Sequence, residues 1–315
     1  MNGLGHEFTN LGNNIPDIPE ISGLFRTIPI DQIHENPAVF VARFDQMHPV
    51  VSGNKWFKLL HFLSLLKQQQ KNTIITQGGA YSNHLLATAF LGAQLGIRTI
   101  GFVRGILKFD SSITLKECAS WGMQLIPITQ EQYRTMDDWE AYLPPSVSSN
   151  EAVFIPEGGF DPMGADGAGN MASFFMHLNP THICVPVGTA TTLAGLLKYT
   201  SNVKLYGFPV LKGLNDVEKR IETLIGPFDK NRLTLYPDYH FGGYARWNHR
   251  LLEFMNSIYT SNKIPTDFVY SAKMVYGVFE LLKTNQWHKQ DRIVLVHTGG
   301  LQGNRTLTSG SLVFN

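Results

Sequence analysis

From about residue 73 onward, the pattern of apolar and polar positions predicts short strands that alternate with helices. Short β-rich runs begin at Thr73 (TIITQ), Arg98 (RTIGFV) and Met123 (MQLIPI), and helical patterns cover residues 82–95 and 112–121 between them. Strands about 20–25 residues apart with a helix between them pair in parallel through right-handed crossovers. This stretch therefore predicts a βαβαβ unit.

A second alternation fills the rest of the chain. Strands are predicted at VFIP, THICVPV, VKLYGFPV and RIVLV, with helices over residues 169–178 and 193–200. Residues 1–30, rich in Asn, Pro, Gly and Ile, predict an irregular arm. We therefore expect an α/β protein of two lobes, whose ligands bind beyond the carboxyl ends of the strands.

Glycines concentrate in loops, and most of these loops follow predicted strands. They stand at Gly78-Gly79, Gly158-Gly159, Gly188, Gly242-Gly243 and Gly299-Gly300. A tight strand-to-helix turn that needs a positive φ accounts for any one of them. Several such turns in one chain favour a second interpretation, in which the backbone closes around a common ligand.

Composition narrows the classes of partner. The 315 residues carry 26 Lys and Arg against 25 Asp and Glu, so charge alone would not hold a nucleic acid or an anionic membrane. Cys118 and Cys184 lack CxxC or Cys/His partners, which excludes a disulfide framework and a structural zinc site. The start has no leader pattern, and residues 84–97, the longest nearly uncharged stretch, are too short to span a bilayer. We expect a cytoplasmic protein that binds a small molecule and has no metal, nucleic-acid or membrane partner.

One lysine stands in a position suited to covalent chemistry. Residues 51–58, Val-Ser-Gly-Asn-Lys-Trp-Phe-Lys, open a predicted helix that runs to about Gln69, with Lys55 in its first turn at the edge of the apolar stripe. The stripe consists of Trp56, Leu59, Leu60, Leu63 and Leu66. The positive end of the helix dipole disfavours an ammonium there and so helps to supply the neutral amine that forms an imine. A solvated surface lysine is the alternative interpretation.

Two strand-to-helix loops carry hydroxyl and amide groups. Residues 188–192 place three threonines at a predicted helix start, where free backbone amides suit one phosphate; no lysine follows as a P-loop requires. Ser82 and Asn83 start another helix after the strand that begins at Thr73. In both loops plain helix capping is the alternative interpretation.

Taken together, these three segments resemble one family, the pyridoxal-phosphate enzymes of the tryptophan-synthase β fold (fold type II), and within it aminocyclopropane-carboxylate deaminase and D-cysteine desulfhydrase. Residues 52–58 resemble the family's G-G-N-K-x-x-K, residues 78–83 its G-G-x-x-S-N, and residues 189–192 its T-G-S-T phosphate loop, in the same order. The resemblance implies two three-layer αβα lobes with mostly parallel sheets and pyridoxal 5'-phosphate in the cleft between them.

The resemblance also implies a domain division and an assembly. Residues 1–52 and 155–315 would form a large cofactor-binding domain, and residues 53–154 a small α/β domain. The enzyme would be a homodimer that acts on a small amino acid.

Residue by residue, the resemblance implies a site. Lys55 bonds to the cofactor aldehyde, and Ser82, Tyr244 and Tyr270 act with it in catalysis. The two tyrosines come from Phe-Gly-Gly-Tyr at 241–244 and from residues 267–273, which resemble D-P-V-Y-x-G-K. Cofactor contacts are implied for Lys55, Asn54, Asn83, Gly188, Thr189, Ala190, Thr191, Thr192, Ser271, Thr298 and Gly299. Substrate contacts are implied for Gly79, Ser82, Asn83, His84, Tyr244 and Tyr270.

Three residues depart from the family pattern. Ala190 and Ser52 each replace a glycine, and Ser271 aligns with the glutamate that faces the pyridine nitrogen in the cyclopropane deaminase. A carboxylate there keeps the ring nitrogen protonated, whereas a hydroxyl hydrogen-bonds to its neutral form. Expulsion of a β-thiol or hydroxyl needs less carbanion stabilisation than cyclopropane opening. We therefore expect desulfhydrase-like α,β-elimination to a 2-oxoacid, ammonia and a leaving group such as sulfide, with ring opening to 2-oxobutanoate and ammonia as the alternative.

Two further interpretations stay open at this point. Residues 167–172 match G-x-G-x-x-A, the fingerprint of a nicotinamide dehydrogenase, although they begin about ten residues after VFIP and no acidic residue follows at the spacing a ribose requires. A non-catalytic pyridoxal-phosphate carrier or sensor is the second, because fold alone does not fix function.

Overall fold

The computed structural model describes residues 18–105, 112–284 and 286–314 of the chain. Its frame is two β-sheets with helices on both faces, as the alternation of patterns predicts. The strands are β1 (Ile30–His34), β2 (Ala38–Ala42), β3 (Thr73–Gly78), β4 (Arg98–Arg104), β5 (Gln124–Ile128), β6 (Ala152–Ile155), β7 (His182–Val187), β8 (Lys204–Pro209), β9 (Leu233–Leu235) and β10 (Arg292–Val296).

The smaller sheet has the order β5-β4-β3-β6, and every pair in it is parallel. All six residues of β3 are buried, because a helix covers each face of this inner strand. The carboxyl ends of these strands therefore lie along one edge, and the loops that leave them face the same way.

The larger sheet has the order β1-β2-β10-β7-β8-β9, with β1 and β2 antiparallel and every other pair parallel. The predicted strands at THICVPV, VKLYGFPV and RIVLV are confirmed as β7, β8 and β10. Three strands, β1, β2 and β9, were not predicted. β1 is half-buried with an irregular register at Gln32/His34, and β9 has only three residues, so neither carries a clear alternation of apolar and polar positions.

The helices are α1 (Pro19–Ser22), α2 (Asn54–Gln68), α3 (Asn83–Leu95), α4 (Ile113–Ser120), α5 (Gln130–Arg134), α6 (Pro162–Gly169), α7 (Thr191–Tyr199), α8 (Val217–Ile225), α9 (His249–Asn262) and α10 (Ser271–Lys283). The helices predicted to begin near residues 51–58, 82, 112 and 193 are confirmed as α2, α3, α4 and α7. The stripe of α2 is buried throughout, as its spacing predicts. Residues 1–17 of the expected arm lie outside the described residues, and α1 and β1 interrupt its remainder.

The helix predicted over residues 169–178 is wrong. Instead α6 ends at Gly169, and two short 3₁₀ turns, Asn170–Phe174 and Met176–Leu178, follow it. Asp161 caps α6 by accepting from the amide of Met163 at 2.8 Å. Its glycines permit close packing between helices, since a Cβ at Gly167 would overlap the carbonyl oxygen of Phe57 on α2.

This placement also decides against the nicotinamide interpretation. The glycines of G-x-G-x-x-A lie at the end of α6, not in the turn that leads from β6 into it, and serve helix packing. No helix of the described residues is long and apolar enough to cross a bilayer. The domain boundaries at residues 52/53 and 154/155 stay a prediction.

Candidate active site

The carboxyl-end loops of the two sheets enclose one cavity of about 290 Å³. The smaller sheet contributes the loops that follow β3, β4 and β6, and the larger sheet contributes those that follow β7, β8 and β10. The cavity is lined by Asn54, Lys55, Lys58, Gly79, Ser82, Asn83, His84, Arg104, Glu157, Gly158, Pro186, Gly188, Thr189, Ala190, Thr191, Thr192, Leu193, Leu211, Arg220, Tyr244, Tyr270 and Thr298. Every candidate site residue named from the sequence is in this lining except Ser271 and Gly299.

Lys55 points its amine into the cavity from the first turn of α2. Its Nζ donates to Asn54 Oδ1 at 2.7 Å and lies 5.8 Å from the centre of the Tyr270 ring. Burial lowers the pKa of Lys55 to about 8, and the nearby Asp267 carboxylate offsets part of that effect. Roughly a tenth of the amine is therefore neutral at pH 7, far more than in an ordinary lysine, and the neutral amine is the form that attacks an aldehyde.

Gly53 sets the entry of the chain into α2. Its φ is +69°, and a Cβ there would overlap the backbone oxygen of Thr298. Ser52, which departs from the family pattern, accepts from the amide of Gly300 through its Oγ at 3.3 Å. The loop after β10 and the start of α2 are thus in direct backbone contact, which fixes the position of Lys55.

A second lysine, Lys58, lies one helical turn after Lys55 and was not chosen as a site residue from the sequence. It is 5% exposed, and its Nζ donates to the Gly158 carbonyl at 2.9 Å. Burial, followed by repulsion from Lys55, lowers the pKa of Lys58 well below its ordinary value. The spacing of three residues on one helix places it on the same side as Lys55, and this signal could have identified it.

The threonine loop after β7 opens towards the same space. Ala190 is the N-cap residue of α7 in a left-handed conformation, with φ at +69°, and no described side chain caps the first amides of this helix. Asn54 Nδ2 donates to Thr192 Oγ1 at 2.7 Å, and the hydroxyls of Thr189 and Thr191 lie 2.8 Å apart. Free amides, hydroxyls and a helix N-terminus together suit a phosphate.

Lys58 lies beside that loop. A Cβ at Gly158, whose carbonyl accepts from Lys58, would approach the Thr189 side chain within about 3 Å. The Lys58 amine would donate a hydrogen bond to an anion there, and a bound phosphate would in turn favour its charged form. The cavity therefore combines a reactive amine with an anion site, the two features that a phosphorylated aldehyde requires.

In the loop after β3, Ser82 both caps a helix and lines the cavity. Ser82 Oγ caps α3 by accepting from the amide of Leu85 at 3.2 Å, and the same residue lines the cavity with Asn83. The capping interpretation and the site interpretation are therefore compatible for Ser82.

His84 follows in the same lining and is 3% exposed. Its Nε2 lies 3.1 Å from Thr76 Oγ1, which itself donates to the carbonyl of Ile155 at 2.7 Å. Nε2 must therefore carry the proton, and Nδ1 has no hydrogen-bond partner among the described residues. Burial, together with the charges of Lys58 and Lys55, lowers the pKa of His84 to about 3, so the ring is neutral.

Tyr270, which adjoins the Lys55 amine, packs against Tyr244. Their rings lie edge to face with centroids 6.1 Å apart. Burial raises the pKa of Tyr270 well above its ordinary value, and the adjoining Tyr244 adds to this shift. Desolvation of its hydroxyl likewise raises the pKa of Tyr244, although 46% of the residue is exposed. Both phenols keep their protons at neutral pH and can act as donors.

Ser271 does not line the cavity. Its hydroxyl donates to Asp267 Oδ2 at 2.6 Å and accepts from the amide of Asp267 at 2.8 Å. The contact with a neutral pyridine nitrogen that the resemblance implies is therefore not supported, because that nitrogen needs a donor and the single O–H of this hydroxyl is given to Asp267. Gly299 is also outside the lining and packs against Ser52, so Thr298 is the lining residue of its loop.

Two charged residues of the lining were missed. Arg104 ends β4, lies 4.8 Å from the centre of the Tyr133 ring and forms no ion pair with a described carboxylate. A methyl group at Gly79 would lie 3.8 Å from its Nη2. Glu157 follows β6, on the opposite side of β3. The rule that ligands bind at strand carboxyl ends could have identified both.

Comparison with known proteins identifies a matching family and similar proteins. The family model described as "Pyridoxal-phosphate dependent enzyme" matches residues 24–299. A Thermotoga maritima protein named "Putative 1-aminocyclopropane-1-carboxylate deaminase" is 27% identical over 285 residues, 84% of this chain and 89% of that protein.

Solved structures agree in fold. The crystal structure of an ACC deaminase homologue superposes with a TM-score of 0.74 at 23% identity, covering 90% of this chain and 94% of that one. A hydrogen sulfide-producing enzyme from Fusobacterium nucleatum superposes with a TM-score of 0.64 at 12% identity, covering 90% and 98%. At these identities the likeness concerns the fold alone, which is that of the fold type II enzymes.

Proposed function

Since the chain belongs to the family of pyridoxal-phosphate dependent enzymes, we propose that it is a deaminating lyase for a small amino acid. The reaction is α,β-elimination of the D-cysteine desulfhydrase type, which releases a 2-oxoacid, ammonia and a leaving group such as sulfide. The observation that carries the proposal is the buried amine of Lys55, with a lowered pKa, facing two protonated tyrosines across one cavity.

The residues of the cavity fit the cofactor of this family. Lys55 would bond to its aldehyde, and the amides and hydroxyls of residues 188–192 would hold its phosphate with Lys58 alongside. Asn83 lies in the same lining and would contact the ring. When bound, the cofactor supplies an electron sink for the carbanion at the substrate α-carbon.

The chain's own groups bind the substrate and move its protons. The amides of residues 79–83 at the start of α3 would receive the α-carboxylate, and Arg104 would add a cation beside them. Lys55 Nζ would take the proton from the α-carbon, helped by its lowered pKa. The hydroxyl of Tyr270 or Tyr244 would give a proton to the departing thiolate or hydroxide.

Residue 271 favours elimination over ring opening. The glutamate that would keep a ring nitrogen protonated is replaced by Ser271, whose hydroxyl is committed to Asp267, so no carboxylate reaches the cavity from this position. A weaker electron sink suffices for a substrate with a good leaving group. Ring opening of aminocyclopropane-carboxylate is the second candidate, and the name of the Thermotoga maritima relative favours it.

A panel of substrates tests the proposal. Purified protein would be offered D- and L-cysteine, D- and L-serine and 1-aminocyclopropane-1-carboxylate, with oxoacid, ammonia and sulfide measured. We expect pyruvate, ammonia and sulfide from one cysteine enantiomer. Formation of 2-oxobutanoate alone would select ring opening, and silence across the whole panel would contradict a catalytic role and favour a cofactor carrier.

Two lysine variants test whether any turnover in this panel depends on Lys55. Lys55→Ala should abolish turnover, whereas Lys67→Ala, an exposed lysine at the other end of α2 paired with Glu20, should leave it unchanged. A homodimeric assembly and a cytoplasmic location stay predictions.

A further inference from the structure

Helix α10 carries a buried lysine in its first turn. Lys273 is 0% exposed, and its Nζ donates to the backbone carbonyl of Gly243 at 2.7 Å. Burial of a cation near a helix N-terminus costs stability twice, through lost hydration and through the positive end of the helix dipole. Asp267, which caps the same turn, offsets part of this cost. A contact retained at such a cost points to a role other than stability.

The carbonyl that Lys273 holds belongs to an exposed, sharply turned loop. Gly242 and Gly243 have φ values of +95° and +115°, and Phe241 and Ala245 on either side are also left-handed. Residues 244–250 are exposed, whereas Gly243 is buried. Lys273 therefore ties the one buried residue of the turn to α10.

Tyr244 is the next residue along the chain. It is 46% exposed, and its ring is held at one edge by Tyr270. Tyr270 directly precedes α10, so one helical turn carries Tyr270 and, three residues later, the lysine that anchors the Tyr244 loop. The position of both phenols relative to Lys55 is thus set from the start of a single helix.

We propose that Lys273 is a positioning residue, which fixes the Gly243 carbonyl and thereby holds Tyr244 over Tyr270 and the amine of Lys55. The proposal rests on the proposed function for the part that Tyr244 plays in catalysis. Its structural part, the anchoring of the loop, stands on the described contacts alone.

A positioning role for Lys273 and a stabilising role predict different effects of its removal on the free energy of unfolding. When Lys273 is replaced by Met, the Gly243 carbonyl keeps a partner, because it also accepts from the amide of Arg246 at 3.1 Å. No buried carbonyl is left unpaired, and a buried charge is removed. Lys273→Met should therefore unfold at the same denaturant concentration as the wild type or at a higher one. A lower midpoint would contradict the proposal.

Hydrogen exchange tests the anchoring without reference to turnover. Amide exchange of residues 240–248 would be followed by mass spectrometry in the purified wild type, in Lys273→Met and in Lys283→Met, an exposed lysine at the other end of α10. We expect exchange in this segment to be about tenfold faster in Lys273→Met alone, as loss of one charged hydrogen bond predicts. Unchanged exchange in Lys273→Met would overturn the proposal.

A double-mutant cycle tests the route through Tyr244. The value of kcat should fall about tenfold in Lys273→Met and should not fall further when the same change is made in Tyr244→Phe, since coupled residues are non-additive. Additive losses would overturn the proposal. If the wild type turns over none of the substrates, the proposed function fails, and the exchange measurement alone decides whether Lys273 anchors the loop.

Discussion

Buried amines dominate the chemistry of this molecule at the scale of single residues. Lys55 and Lys58 share one face of α2, and Lys273 lies in the first turn of α10. Burial is the largest cause of the lowered pKa in all three. Two of them face the cavity, where a neutral amine and an anion site are both useful, and the third holds a loop.

Lys273 predicts a pH dependence of stability. Its pKa is lowered from 10.5 to about 8 in the folded chain, so between these values the unfolded chain binds more protons. The unfolding free energy contributed by this residue must then rise with pH, by about 2 kcal/mol from pH 8 to pH 10. Urea unfolding of the wild type and of Lys273→Met across this range measures the effect. The unfolding free energy of the wild type should rise relative to that of Lys273→Met as the pH increases. An equal pH dependence of the two unfolding free energies would contradict the lowered pKa of Lys273.

Arg104 predicts a change in substrate affinity. Its guanidinium lies beside the Gly79 loop, where the substrate carboxylate is expected. Arg104→Gln should raise KM about tenfold with a smaller change in kcat, because a charged hydrogen bond to the carboxylate is lost. Arg98→Gln, at the exposed start of the same strand, serves as the control and should behave as the wild type. An unchanged KM in Arg104→Gln would place the carboxylate elsewhere.

At the scale of elements, the entry into α2 is the most constrained piece of backbone. Gly53→Ala would force a Cβ onto the carbonyl oxygen of Thr298 in a left-handed conformation, and should lower the unfolding free energy by about 3 kcal/mol or more. Gly23→Ala is a matched control, because no atom lies within 4 Å of a Cβ there and its φ is −73°. Equal stability of the two variants in urea unfolding would contradict the close approach.

Elements with a strong period were predictable, and elements defined by tertiary packing were not. The positions of β3 and β4 were predictable from short β-rich apolar runs, and the start of α3 between them was predictable from Ser82 as its cap. The error at residues 169–178 arose because small residues continue the apolar pattern, yet Gly169 is where α6 ends against the Tyr199 ring. The three residues of β9 form a strand only because β8 offers them an edge.

At the scale of the whole molecule, the site exists because two sheets present their carboxyl ends to each other. Motifs in the sequence identified Lys55, Asn83 and the threonine loop, since each lies in a contiguous segment with its own local pattern. Arg104 ends β4 and Glu157 follows β6, on either side of β3, and neither belongs to a motif. Their places at the carboxyl ends of β4 and β6 bring them to the cavity, and only the general rule for parallel sheets could have indicated them.

The hydrogen bonds of Ser271 show why its predicted contact with a pyridine nitrogen is not supported. Alignment to a family position indicates where a residue stands along the chain, but not which neighbour takes its hydrogen bonds. Asp267, four residues earlier, accepts from the amide and hydroxyl of Ser271 and so withdraws it from the cavity. A cap and a ligand contact compete for one hydroxyl, and here the cap prevails.

The covalent attachment of the cofactor to Lys55 is the central claim, and chemical trapping tests it most directly. Purified protein would be reduced with borohydride, digested and analysed by mass spectrometry. We predict a phosphopyridoxyl group on the peptide that contains Lys55 and its loss in Lys55→Ala. A label on Lys58, Lys273 or another lysine, or no label at all, would contradict the account.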